Sequence, residues 1–408
     1  MRFDPKRRAG GSLLAGLMLL LPLALAMTFG AAAGELTPAE SSALAAAMVQ
    51  YRRALEAYNR AQHEYAAALG AYWTKIAEKR RLRATKRAAN EQIAIEDYVL
   101  DQPPIYTGSA KPPSPPGSGE ETPPRHQTYV PVVADFLAAA QQQFEFTPRL
   151  PRSDGEFKRA YAKTALAAGL RPDQAVRIYS FEAGGNGDYD VEAGLEHDKS
   201  ARAITTALGY NQLLATNTVE IVAENGQQFI KILQAEAAQL PEAERDALRR
   251  KIEIVRKMIE FCRSVPDDWG RHEALANTPK GLAVHALNLD LDVGPLLQTQ
   301  KLLNSVVFAR RKGFTGALSA AELEMMNLTG DGNGFDVVTM PAVWRDKVPT
   351  SNFFQRSGYL DNPVAKRNNV VATLIAAIDA RMNQEVNKPG ARELAAAFQA
   401  REDLKASE

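Results

Sequence analysis

The sequence predicts a mainly α-helical protein, and three observations carry that reading. A heptad seam runs through residues 44–76, glycine and proline punctuate the chain beyond about residue 130 at helix-length intervals, and strand-like alternation is scarce. The 408 residues, 45% hydrophobic and 24% charged, suffice for about two or three domains with a buried core. A formal net charge of +1, without a basic patch interleaved with aromatics, disfavours nucleic acid as a partner.

At the N-terminus Lys6, Arg7 and Arg8 precede an uncharged run over 9–34 that ends in Ala31, Ala32 and Ala33. Positive charge, an apolar centre and small residues at a cleavage point make 1–34 an export signal peptide. Left uncleaved, a run of that length is an anchor able to cross ~30 Å of hydrocarbon. Either form directs the protein to the periplasm or cell envelope. The only cysteine, Cys262, lies far from this segment, so neither lipid attachment there nor an internal disulfide is available.

A helical stalk is expected over 36–100. Leu44, Met48, Tyr51, Leu55, Tyr58, Gln62, Tyr65, Leu69, Tyr72 and Ile76 alternate steps of four and three, with tyrosine recurring every seven residues from Tyr51 to Tyr72. A straight helix cannot keep that period on one side, so 44–76 predicts a coiled coil with a partner helix or with itself. The alternative is packing of the stripe on the protein's own globular part. The basic run at 79–87, KRRLRATKR, reads as a solvated helix face or a surface for anionic lipid.

Repeated Pro-Pro pairs with Gly and Ser make 101–130 a semi-rigid linker. Helical patterning then resumes, and 131–385 is expected to hold the chemistry, followed by a C-terminal helical tail at 386–408. Ser153 and Asp154 cap a helix that stops at Gly169, and Pro172 opens a second helix ending near Gly184. A further amphipathic helix is inserted at 241–263, where Leu248, Ile252, Val255, Ile259 and Cys262 share one face.

In the stretch IYSFEAGGNG, Glu182 shares a helix face with Ile178 and Ala175 and occupies the last turn before two glycines. Burial on that face disfavours the ionised form, and the partial negative charge of a helix C-terminus acts in the same direction. A carboxylic acid that keeps its proton near neutral pH suits general-acid cleavage of a glycosidic bond. The plain alternative is a glutamate pointing from the helix end into water.

The residues that follow come in a recognisable order. Asn186 lies four residues after Glu182; Gly209, Tyr210, Asn211, Gln212 and then Thr216 form a Gly-x-x-Gln segment; and Glu324, Met325, Met326, Asn327, Leu328, Thr329 and Gly330 come much later. Over roughly 155–340 this series resembles the soluble lytic transglycosylase family of the lysozyme-like superfamily, which orders Glu-Ser-x-x-Asn-Pro, Gly-Leu-Met-Gln and Ala-Tyr-Asn-Ala-Gly segments. Departures accompany the matches: Ala183 replaces the Ser, Gly187 the Pro, Tyr210 and Asn211 the Leu-Met pair, and Met326 the family's active-site Tyr.

The resemblance implies a lysozyme-like α-helical domain whose groove binds peptidoglycan glycan strands. It implies that Glu182 protonates the glycosidic oxygen between MurNAc and GlcNAc, then acts as base on the muramoyl C6 hydroxyl. Gln212 would hydrogen-bond substrate, Tyr210 would stack a sugar or wall the groove, and Asn186 and Asn327 would line or anchor it. A hydrolase would need a second carboxylate, for which Asp188 and Asp190 are the near candidates. For Tyr210 core packing, and for Asn327 capping, remain alternatives.

No cofactor or metal is expected. The five histidines show no ligand spacing, and an EF-hand starting at Asp331 would meet Phe335 and Ala342 where ligands belong, so that glycine-rich stretch reads as a turn beside the groove. Two functions stay open: an exported lytic transglycosylase, or an inactive lysozyme-like module that binds glycan or scaffolds the envelope.

Overall fold

A computed structural model describes residues 37–115, 129–183, 205–360 and 362–407. The segment 1–34, expected to be an export signal, and the latter part of the expected linker lie outside the described residues. Among those described, the chain is mainly helical, and extended pairing is confined to isolated antiparallel bridges between Leu208 and Leu213 and between Pro349 and Val370. No described helix is long and apolar enough to cross a membrane.

The described residues divide into a smaller unit, 37–74 with 103–115, and a larger one, 75–102 with those from 129 onward. Helix α1, Pro38–Ala88, contributes its residues up to Thr74 to the first and the rest to the second. The division therefore falls inside the expected 36–100 stalk.

In the smaller unit the tyrosine stripe of α1 meets the proline-containing segment. Tyr51 Oη lies 3.1 Å from Ser114 Oγ, and the rings of Tyr58 and Tyr65 stand edge-on to Tyr106 at 6.3 and 5.5 Å. Among the described residues this part of the stripe touches a segment of the same chain, and Tyr58 and Tyr65 stay half-buried.

In the larger unit the basic end of α1 is an internal staple. Arg83 is fully buried: its guanidinium bonds Asp336 at 2.9 Å and the carbonyls of Asp97 and Asn352 at 3.0 and 2.9 Å, with the Tyr98 ring 4.6 Å away. Lys86 pairs with Asp97 at 2.6 Å and Arg87 with Asp336 at 2.5 Å. The expectation of a solvated face is thus corrected, because acids and carbonyls distant in sequence converge on this turn. A buried guanidinium needs such a full set of acceptors.

Helices α2 (Val133–Phe144), α3 (Asp154–Ala167) and α4 (Pro172–Ala183) follow. Ser153 Oγ accepts the Glu156 amide at the start of α3, and Gly169, at φ 82°, ends its trailing turn. Next come α5 (Ala215–Ala237), α6 (Glu242–Cys262), α7 (Trp269–Ala276), α8 (Pro279–His285) and α9 (Gly294–Arg311). The amphipathic face expected on α6 is buried at Leu248, Ile252, Val255, Ile259 and Cys262, against α5, and burial pushes the Cys262 thiol far up.

Then α10 (Ala320–Thr329), α11 (Asp331–Thr339), α12 (Ala342–Arg345), α13 (Arg356–Leu360), α14 (Pro363–Arg367), α15 (Val371–Glu385) and α16 (Pro389–Ser407) complete the chain. The glycine-rich stretch after Thr329 is therefore α11, a helix where a turn was expected. Gly334 lets it approach α10: a Cβ there would sit 2.3 Å from Met326 Cα. The C-terminal residues are likewise part of the fold. α16 buries Ala391, Leu394 and Phe398 and packs on α3 and α4.

A buried polar network ties α5, α8 and α9 together. His285 Nε2 lies 2.6 Å from the Thr206 carbonyl and so carries the proton, while Nδ1 accepts from Thr218 Oγ1 at 2.8 Å. Burial lowers the His285 pKa to about 4. The unfolded imidazole titrates near 6.5, so the unfolded state binds the extra proton first as pH falls. This contribution to stability is complete above about 6.5 and is lost towards about pH 4, amounting to ~3 kcal/mol over that window. Histidine NMR should show one imidazole still neutral at about pH 5, alongside declining denaturation midpoints; a normal titration of His285 would contradict the network.

Candidate functional site

Helix α4 delivers Glu182 because its other face is committed to the interior. Ala175, Ile178 and Tyr179 are fully buried, and the helix packs against α10, α15 and α16. Glu182 at its last turn is half-buried, and its Oε2 is out of contact with solvent.

The partners come from α10. Asn327 Nδ2 donates to Glu182 Oε1 at 3.2 Å and lies 3.4 Å from Glu324 Oε2. Glu324 is fully buried. Glu182 Oε2 and Glu324 Oε1 are both buried without a hydrogen-bond partner. Two carboxylates cannot hydrogen-bond without a proton between them, and burial followed by the adjacent Glu182 charge holds Glu324 well above the usual carboxyl range.

Of the expected site residues, the structure thus joins Glu182 to Asn327, segments 145 residues apart in sequence. Asn327 acts here as a direct ligand of the carboxylate. Asn186, Asp188 and Asp190 lie outside the described residues.

The Gly-x-x-Gln segment forms a tight turn closed by the Leu208–Leu213 bridge. Gly209 has φ 82°, and a Cβ there would lie 1.8 Å from Gln298 Nε2. Gln298 in turn accepts the Asn211 amide at 2.9 Å, and Asn211 Nδ2 donates to the Gln298 carbonyl at 2.6 Å. Gln212 adopts φ 44° and its Nε2 donates to the Gly209 carbonyl at 2.9 Å. It remains half-buried, and no hydrogen bond joins it to Glu182 among the described residues.

Tyr210 requires a correction. It is fully buried, its ring lies 4.5 Å from that of Tyr179 and 5.0 Å from that of Phe157, and its hydroxyl donates to Asp154 at 2.8 Å. A side chain with no exposed face cannot stack on a sugar. It instead braces Tyr179, three residues before Glu182. Met326 is also buried, with 1% of its surface exposed.

Glu324 was the residue missed. The signal that singles out Glu182, a carboxylate on an apolar helix face, is present there too: Ala320, Ala321 and Leu328 lie four and three residues before and four after it. Among the described residues no group of three or more His, Cys, Asp or Glu is placed to hold a metal. Two surface hollows lie elsewhere, one on α5 and α6 around Gln234 and Arg249, the other around Arg87, Phe335 and Trp344.

Two outcomes test this geometry. Glu324 is uncharged when folded but ionised in the unfolded chain, so its contribution to stability is full below the ordinary carboxyl pKa and is lost as pH rises towards the folded value. Glu324→Gln, neutral throughout, should therefore gain stability relative to the native chain as pH rises above the ordinary carboxyl range in urea titrations; parallel curves would refute a buried acid. Gly209→Ala should lower the unfolding free energy by ~1–3 kcal/mol, since both φ and the Gln298 contact oppose a Cβ; an unchanged value would contradict the turn.

No family model, curated protein or solved structure matches the chain.

Proposed function

We propose that the protein is an exported lytic transglycosylase-like enzyme that cleaves glycan strands of peptidoglycan with Glu182 as its single acid/base. The observation that carries this reading is the hydrogen bond between Asn327 and Glu182, which unites the first and third of the ordered segments at one half-buried carboxylate.

The chemistry follows from the spacing of the acids. Hydrolysis by two carboxylates needs them ~5–5.5 Å apart for a covalent intermediate, or ~6.5–9.5 Å apart to admit a water. Glu324 is fully buried beside Glu182, with the Asn327 amide 3.2 Å from one acid and 3.4 Å from the other, so its carboxyl has no open face towards a substrate or a water. Glu324 therefore serves neither as nucleophile nor as activator of a water, and the reading leaves one reacting acid. Glu182 gives its proton to the glycosidic oxygen, the C1–O bond breaks, and the ionised Glu182 takes the proton of the C6 hydroxyl as its oxygen closes on C1. The ring product is a 1,6-anhydro sugar. In this reading the N-terminal segment delivers the chain to the envelope, and 44–76 is the surface on which a partner helix would compete with the Tyr106 segment.

A second reading, an inactive glycan-binding module, is favoured by Met326. Its burial leaves neither hydroxyl nor exposed surface at the position where the family carries its tyrosine.

Digestion of purified sacculi separates the two. The enzyme should release anhydro-muropeptides detectable by mass spectrometry, and Glu182→Gln should lower their yield at least ~100-fold. Equal yields from both proteins would exclude catalysis by Glu182, and retained binding to insoluble peptidoglycan without products would support the second reading.

A further inference from the structure

The grip on Glu182 is two-sided. Asn327 Nδ2 holds Oε1 from α10 at 3.2 Å, while Oε2 is buried without a hydrogen-bond partner. Glu324 sits three residues before Asn327 on the same helix, and the Asn327 amide also reaches its Oε2 at 3.4 Å. Its remaining oxygen, Oε1, is buried without any other partner. A donor is needed at this junction, and the Glu324 carboxyl is the group able to provide it.

We infer that Glu324 is a positioning residue: a carboxylic acid that donates from the core to Glu182 Oε2, opposite the Asn327 amide on Oε1. The inference rests on the proposed glycan-cleaving role of Glu182 and deepens it. With both oxygens of Glu182 held, its carboxyl plane is fixed without torsional search, and the charge it carries after giving up its proton is met by a hydrogen bond already in place. A carboxylic acid donates more strongly than an amide, which eases the first proton transfer. Regaining the proton from the C6 hydroxyl restores the starting state, so no net proton is consumed.

Other charges near the pair are engaged. On the helices packed around α4 and α10, Arg177 pairs with Asp379 of α15 at 2.8 Å, Arg381 of α15 lies over the Phe181 ring, and Lys158 of α3 bonds Asp154 and Glu393 of α16. On α10 Glu322 caps Ser319, and on α11 Asp331 bonds Ser305 of α9 while Asp336 meets Arg83 and Arg87. Glu182 is the side-chain charge that acts on Glu324.

The test uses the full chain with Glu324→Gln and Glu324→Met, assayed on sacculi across pH. The glutamine variant keeps a donor and should lose only ~3-fold in kcat, with the alkaline limb moved to higher pH because an amide stabilises ionised Glu182 less. The methionine variant has no donor and should lose at least ~10-fold in kcat with KM little changed. Equal losses in the two variants, or profiles that superpose on the native one, would overturn the inference.

A readout independent of activity accompanies it. Isotope-edited infrared spectra of 13C-glutamate-labelled protein, recorded with Glu220→Gln throughout because burial raises the Glu220 pKa to about 7, should show a protonated-carboxyl band at neutral pH that Glu182→Gln retains and Glu324→Gln diminishes. Its absence from the native chain would overturn the inference even if the enzyme is active. Its presence without any anhydro product would leave Glu324 as the partner of Glu182 and defeat the enzymatic reading instead.

Discussion

A carboxylate removed from water must be met by a donor, and that constraint organises the contact between α4 and α10. Glu182 ends a helix whose opposite face is wholly committed to the core, so the orientation of its carboxyl is fixed by what α10 presents. α10 presents a second acid and an amide one turn apart. Neither alone satisfies the site: the amide covers one oxygen, and the acid covers the other only while it carries its proton.

The surrounding structure makes that contact rigid. α15 and α16 pack on α4, and α11 lies close enough to α10 that Gly334 admits no side chain. Behind α4, Tyr210 fills the space between Tyr179 and Phe157, and its own turn is anchored to α9 through Asn211 and Gln298. The second ordered segment thus serves the first from inside the core. The Asn211 and Gln298 hydrogen bonds together with the positive φ of Gly209 hold this turn against α9.

How much of this was legible in the sequence depended on whether the signal was local. Helix limits at Ser153, Gly169 and Pro172 were readable because capping and breaking act within a turn. The stripe carrying Glu182 was readable from its 3–4 spacing, and Glu324 satisfies the same criterion inside a run where two methionines draw attention to the adjacent positions. Tyr210 could not be oriented, since a tyrosine beside a glycine suits a groove wall and a core equally until α3 and α4 are placed. Arg83 was illegible because its partner Asp336 lies 253 residues away. The glycines of α11 have poor helix propensity, and close packing on α10 overrides it.

The most direct measurement of the central claim is an atomic-resolution crystal structure at neutral pH, with the carboxyl C–O lengths of Glu182 and Glu324 refined without restraint. The account predicts unequal lengths at Glu324, an oxygen-to-oxygen contact of ~2.5–2.7 Å between the two acids, and the Asn327 amide on Glu182 Oε1. A water or a cationic side chain lying between the carboxyls, with equal lengths in both, would contradict it.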